Sequence, residues 1–177
     1  MSIIVKQTGG GDFTPCPAGL HHGICVDVVD LGVLKVAYSG HEKQQHKIRI
    51  VWQVEDMMPS GKPYIVQKRY TASLHEKASL RKDLESWRSR PFTPAELEGF
   101  DLENLIGVNC QLSVMHDSRD GSTYANITSV VPPPRGGIRL EPRDYVRVKD
   151  RTPEQTAQAG KAGGDGEYQP CDDDIPF

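Results

Sequence analysis

The chain has 177 residues, 37% hydrophobic and 25% charged, with a formal net charge of −3. That composition fits one folded domain with a real core plus polar appendages, and it excludes a protein that grips a polyanion through bulk charge alone; any such grip must come from a local patch. The first residues show no charged-then-apolar leader pattern and no apolar run approaches the length of a membrane span, so a cytoplasmic location is expected. The charge is unevenly spread: residues 132–151 hold six Lys/Arg against three Asp/Glu, and residues 152–177 hold one against six. Four cysteines (Cys16, Cys25, Cys110, Cys171) form no CxxC pair. They are expected as reduced thiols, with no metal site and no cofactor.

In chain order, the Gly- and Pro-rich residues 1–17 suggest a loosely tied N-terminal arm. Alternation through Ile24, Val26 and Val28 predicts a strand over 18–30, a turn at Asp30-Leu31-Gly32 and a continuation over Val33–Tyr38. A polar loop over 39–46 leads into Lys47–Glu55, where Ile48, Ile50, Trp52 and Val54 share one face and Lys47, Arg49, Val51 and Gln53 the other. The turn Pro59-Ser60-Gly61-Lys62 closes a hairpin onto Tyr64–Tyr70.

The period then changes. Ser73 and Glu76 have the spacing of a capping box, and Leu80, Leu84 and Trp87 follow at helical intervals; Thr93-Pro94-Ala95-Glu96 predicts a second helix start. After a helical turn over Phe100–Leu105, strands are predicted at Val108–Met115 and Tyr124–Val131, ended by Pro132-Pro133-Pro134. The expected class is mainly β (α+β): a five-stranded OB-fold barrel over 18–131, with a helical insertion between strands 3 and 4. Other five-stranded α+β arrangements share that order. Residues 132–171 are expected to be a Pro/Gly-rich flexible linker.

The last six residues, Asp172-Asp173-Asp174-Ile175-Pro176-Phe177, make a compact peptide ligand. The ring suits an apolar pocket, the carboxylate a basic residue, and the acidic run a basic rim. DDDIPF resembles the acidic C-terminal tip of bacterial single-stranded-DNA-binding proteins, and the core resembles the phage-encoded members, chiefly through YTASLHEKASLRKDLESWRSRPF (Tyr70–Phe92). The resemblance implies a non-catalytic binder of single-stranded DNA, active in replication, recombination and repair, whose tip at Asp172, Asp173, Asp174, Ile175, Pro176 and Phe177 recruits partner enzymes. A homo-oligomer is compatible with it.

Such a binder needs cations for phosphates and flat side chains for bases. Lys47, Arg49 and Gln53 are expected to point outward along the second strand, and the loop Lys43–His46 extends that track. On the third strand, Tyr64, Lys68 and Tyr70 form a stacking platform if that face is outward; the competing arrangement buries the tyrosines and leaves Gln67 and Arg69 outside. Arg88 and Arg90 near the helix end are either a second phosphate patch or a solvated face. Trp52 and Trp87 are expected in the core. No GxSxG, HExxH, P-loop or GxGxxG pattern is present, so no enzyme is expected. An adaptor that uses the tip without binding DNA is the main alternative, and a metal-dependent nuclease is a third.

Overall fold

The computed structural model describes residues 14–156 of the chain. Five strands, β1 (Gly19–Tyr38), β2 (His41–Met57), β3 (Pro63–Thr71), β4 (Asn109–Arg119) and β5 (Ser122–Val131), are interrupted after β3 by α1 (Ser79–Arg88), α2 (Pro94–Glu98) and a 3-10 turn at Leu102–Leu105. The strands form one sheet in the order β3-β2-β1-β4-β5, and every neighbouring pair is antiparallel. β1 is long enough to serve two partners: Gly19–Ile24 pair with β4, and Gly23–Tyr38 pair with β2. The edge strands β3 and β5 approach each other without pairing, and α1 packs against both.

The alternation in β2 sets the inner face. Ile48, Ile50, Trp52 and Val54 are buried there with Cys25, Val66, Leu112, Val114 and Val130. α1 contributes its stripe of Leu80, Leu84 and Trp87 to the same core. The rings of Trp52 and Trp87 lie 6.1 Å apart, and Trp87 Nε1 donates to the backbone oxygen of Asn109 at 2.9 Å, which satisfies its one polar atom. Burying side chains of this size contributes about 2–3 kcal/mol each before the entropy of ordering them.

Several local expectations change. The predicted turn at Asp30-Leu31-Gly32 is a bulge inside a continuous β1. Asp30 Oδ1 accepts from Gly32 N at 2.7 Å and sits 2.7 Å from His46 Nε2, which fastens the bulge to β2. The polar segment 39–46 is almost all strand, because Ser39 and Gly40 both take positive φ (49° and 81°) and complete a two-residue hairpin turn. Ser73 caps no helix: α1 begins at Ser79, and Ser73 Oγ accepts from His75 N in a local turn. Thr93 and Glu96 do form the reciprocal capping box, with Pro94 in the first turn.

Both flanks of the domain are also better anchored than composition suggests. Cys16 is buried in the core, and the backbone oxygens of Cys16 and Pro17 lie 2.7 and 2.6 Å from ring nitrogens of His116 and His21. The arm assigned to residues 1–17 is therefore tied down at Cys16 and Pro17. Residues 138–151, assigned to a flexible linker, pack across the sheet as a strap: Leu140 and Tyr145 join Ile24, Val26 and Val51 in a second apolar cluster. Residues 157–171 of that segment lie outside the described residues.

Candidate nucleic-acid interface

Antiparallel register fixes what the outer face of β2 and β3 presents. Lys47 stands opposite Thr71, Arg49 opposite Arg69, Val51 opposite Gln67 and Gln53 opposite Ile65. These four rungs contain three cations and no carboxylate. Lys47 Nζ donates to Thr71 Oγ1 at 2.7 Å, which orients that ammonium along the face. Two guanidinium-bearing residues directly across a strand pair present paired donors on one face, and guanidiniums bind phosphate oxygens in a two-pronged way, so the Arg49–Arg69 rung suits a polyanion.

The strap closes the neighbouring part of the face over β1. A bulge between Cys25 and Asp27 sets Asp27 opposite Val51, where its side chain is only 2% exposed. Three donors meet it there: Tyr145 Oη at 3.2 Å, Arg147 Nε at 3.0 Å and Val148 N at 2.8 Å. Arg147 also makes a two-pronged pair with Glu103, both contacts at 2.7 Å. Its hydrogen bonds hold the Glu103 carboxyl below the usual range. Side-chain amides do the remaining pinning, each forming a two-bond ring with a strap residue's backbone. Asn109 Nδ2 donates to Leu140 O and its Oδ1 accepts from Leu140 N; Gln53 does the same with Arg143 O and N.

Tyr145 sits at the seam between strap and sheet. The Arg151 guanidinium lies 5.5 Å from its ring centroid, and Arg151 Nη2 donates to its hydroxyl oxygen at 3.3 Å. Burial first, then the Asp27 charge, push the Tyr145 hydroxyl up to about 12, while Arg151 and Arg49 pull it down.

The sequence-predicted site residues thus scatter. Lys47 and Arg49 lie together on the outer face. Lys43 is exposed further out on the β1–β2 hairpin, opposite Val36. Gln53 faces outward as expected, but the strap covers it and it is 3% exposed. Tyr64 and Tyr70 point inward, 7% and 2% exposed, and belong to the core. The stacking platform on β3 is therefore corrected to the competing arrangement, because Tyr70 and Val66 stand opposite Ile48 and Trp52 on the apolar side. Lys68 follows them inward, where Asp83 accepts from its Nζ at 2.8 Å and from Tyr70 Oη at 2.7 Å. Burial, and then the Asp83 charge, raise the Tyr70 hydroxyl well above its ordinary value.

Arg88 and Arg90 share one carboxylate oxygen of Glu96, at 2.5 and 3.2 Å. Arg88 also lies over the rings of Phe92 and Phe100. These contacts fasten α1 to α2, while Arg88 Nη1 is buried with no hydrogen-bond partner among the described residues. The tip, Asp172–Phe177, lies outside the described residues. Arg69, Tyr145 and Arg151 are the residues that the candidate set lacked. A signal for the strap was present in Leu140, Tyr145, Val146 and Val148, apolar groups too large and too regular for a linker.

Among the described residues, no three or more His, Cys, Asp or Glu gather as metal ligands, and no helix is long and apolar enough to cross a membrane. No protein-family model matches the chain, and no curated protein matches it either.

Proposed function

We propose that this protein binds single-stranded DNA without catalysing a reaction, acting in replication, recombination and repair, and that it recruits partner enzymes through Asp172–Phe177. The observation that carries the reading is the cationic outer face of β2 and β3, where Lys47, Arg49 and Arg69 occupy two successive outward-facing rungs whose own residues include no carboxylate. Its setting supports the same reading. A five-stranded antiparallel sheet in which β1 pairs with β2 and β4, while the β3 and β5 edges converge beside α1, is compatible with an OB barrel, a fold that binds oligonucleotides on the face of its second and third strands. Phosphates track the cations, and the salt dependence of binding counts them. The acidic tip adds a separate recognition element for a basic, apolar pocket on a partner. The cytoplasm is the proposed location.

Titration of the full chain against labelled oligothymidylate and a matched duplex, at two salt concentrations, tests the reading. Tight, salt-sensitive binding to the single strand with weak duplex binding is expected. No binding to either would leave the tip as the functional element and make the protein an adaptor. Removal of residues 172–177 should abolish partner recruitment while single-strand binding persists.

A further inference from the structure

The strap has the chemistry of a permanent layer rather than of a lid. Lifting it would leave the Asp27 carboxylate uncompensated on the sheet and would strip both amide rings from Gln53 and Asn109. Lifting it must break all of these contacts together and also expose Leu140 and Tyr145 with the Ile24, Val26 and Val51 they pack against. The strap therefore stays while the outer face works, and it brings its own groups to that face. Its left-handed residue Asp144 (φ 47°) turns the chain just after Arg143 docks on β2, and the return leg sets Tyr145 against Asp27 and beneath Arg151.

We propose that the Arg151–Tyr145 pair of the strap, with Arg49 of β2, forms a contact for one nucleotide of a bound single strand: the guanidiniums meet the phosphate, and the ring with its stacked guanidinium meets the base. This rests on the single-strand function proposed above. Three features support it. Arg49 stands two residues along β2 from Val51, which packs with Tyr145, and Arg151 lies 5.5 Å from the Tyr145 ring centroid, so two cations flank one aromatic group at the seam. Arg49 Nε is buried with no hydrogen-bond partner among the described residues, so this guanidinium retains unused donor capacity. The Asp27 charge beneath is already met by Arg147 and Val148, so it does not oppose a phosphate as a bare carboxylate would. The interleaved aromatic and cationic groups that single-strand binding requires, missing from β3 once its tyrosines turn inward, are restored here by a segment outside the sheet. The nucleic-acid path then runs from Lys47 and the Arg49–Arg69 rung onto the strap.

The test uses the full chain and fluorescein-labelled oligothymidylate, followed by anisotropy across a salt series. Arg151→Gln should weaken binding about fivefold near 0.1 M salt and flatten the log–log salt slope by about 0.7, the loss of one single-strand phosphate contact. Its thermal melt verifies that the fold survives. Arg69→Gln serves as the barrel control. In parallel, an iodouracil-substituted oligonucleotide should photo-cross-link to the peptide carrying Tyr145. If Arg69→Gln weakens binding while Arg151→Gln does not and cross-links stay on barrel peptides, the strap contact is wrong and the single-strand function stands. An Arg151→Gln loss with an unchanged slope and no Tyr145 cross-link also overturns it, since the effect is then indirect. If the unmodified chain binds no oligonucleotide at any salt, both proposals fall together.

Discussion

Arg147 Nε donates to the buried carboxylate of Asp27 at 3.0 Å, tying strand β1 to a segment 120 positions further along the chain. The contact decides where the domain ends. Removing the guanidinium leaves a carboxylate that is only 2% exposed with Tyr145 and Val148 as its remaining partners. Arg147→Met should therefore destabilise the fold by about 3 kcal/mol, the scale for breaking one side of a buried pair. Denaturant unfolding measures this directly. A change under about 0.5 kcal/mol, the range of ordinary surface substitutions, would show that the strap adds nothing to the domain.

Tyr70 supplies a second prediction, because its sequence role and its structural role differ. Its hydroxyl donates to Asp83 at 2.7 Å from a side chain 2% exposed. Tyr70→Phe keeps the ring in the core and removes one hydrogen bond to a charged acceptor. A loss of about 1.5 kcal/mol in stability is expected, with oligonucleotide affinity unchanged at temperatures where the variant is folded. A large drop in affinity with unaltered stability would restore the tyrosine to the binding face.

The contrast between these two residues shows what was legible in the sequence. Period-two alternation in β2 located the core side of the sheet, and the 80–84–87 stripe located the helix that packs between β3 and β5, since both patterns follow from local geometry. The side of β3 facing inward was not legible: Tyr64, Val66 and Tyr70 share their face with Lys68, whose charge is satisfied by Asp83 from α1, a contact that no strand pattern encodes. The strap escaped for a related reason. It has no regular ladder, and its hold depends on Asp27, Gln53 and Asn109, polar side chains that become anchors only once the sheet sets them under the right backbone groups.

Glu96 gives a pH prediction. The backbone N–H of Thr93 above all, then Arg88 and Arg90, lower its carboxyl from 4.5 to about 2. A group whose folded value is depressed contributes stability that is present above its unfolded value and lost as pH falls towards its folded one. The contribution is thus full above pH 4.5 and fades between 4.5 and about 2. Glu96→Gln should melt lower than the unmodified chain at neutral pH, and the gap should close across that window. A gap that stays constant down to pH 2 would show that the carboxylate's charge is irrelevant to the α1–α2 junction.

The buried thiols yield the last prediction. Cys16, Cys25 and Cys110 are all under 4% exposed. Burial pushes Cys16 up to about 11 and Cys25 up to about 12, and raises Cys110 further still. The reactive thiolate form of these cysteines is therefore strongly disfavoured at neutral pH. The surroundings add steric closure, since a methyl group placed on Gly23 would lie 3.1 Å from Leu112 Cδ1, 3.2 Å from the Gln53 backbone oxygen and 3.7 Å from Cys110 Sγ. Alkylation of these three cysteines, followed peptide by peptide in a mass spectrometer, should be slow in the native protein and rise with denaturant in step with global unfolding. Rapid native labelling of Cys25 would mean that the β1 bulge opens locally. Because that bulge also carries Asp27, such opening would release the strap, and the permanence assigned to it would have to be abandoned.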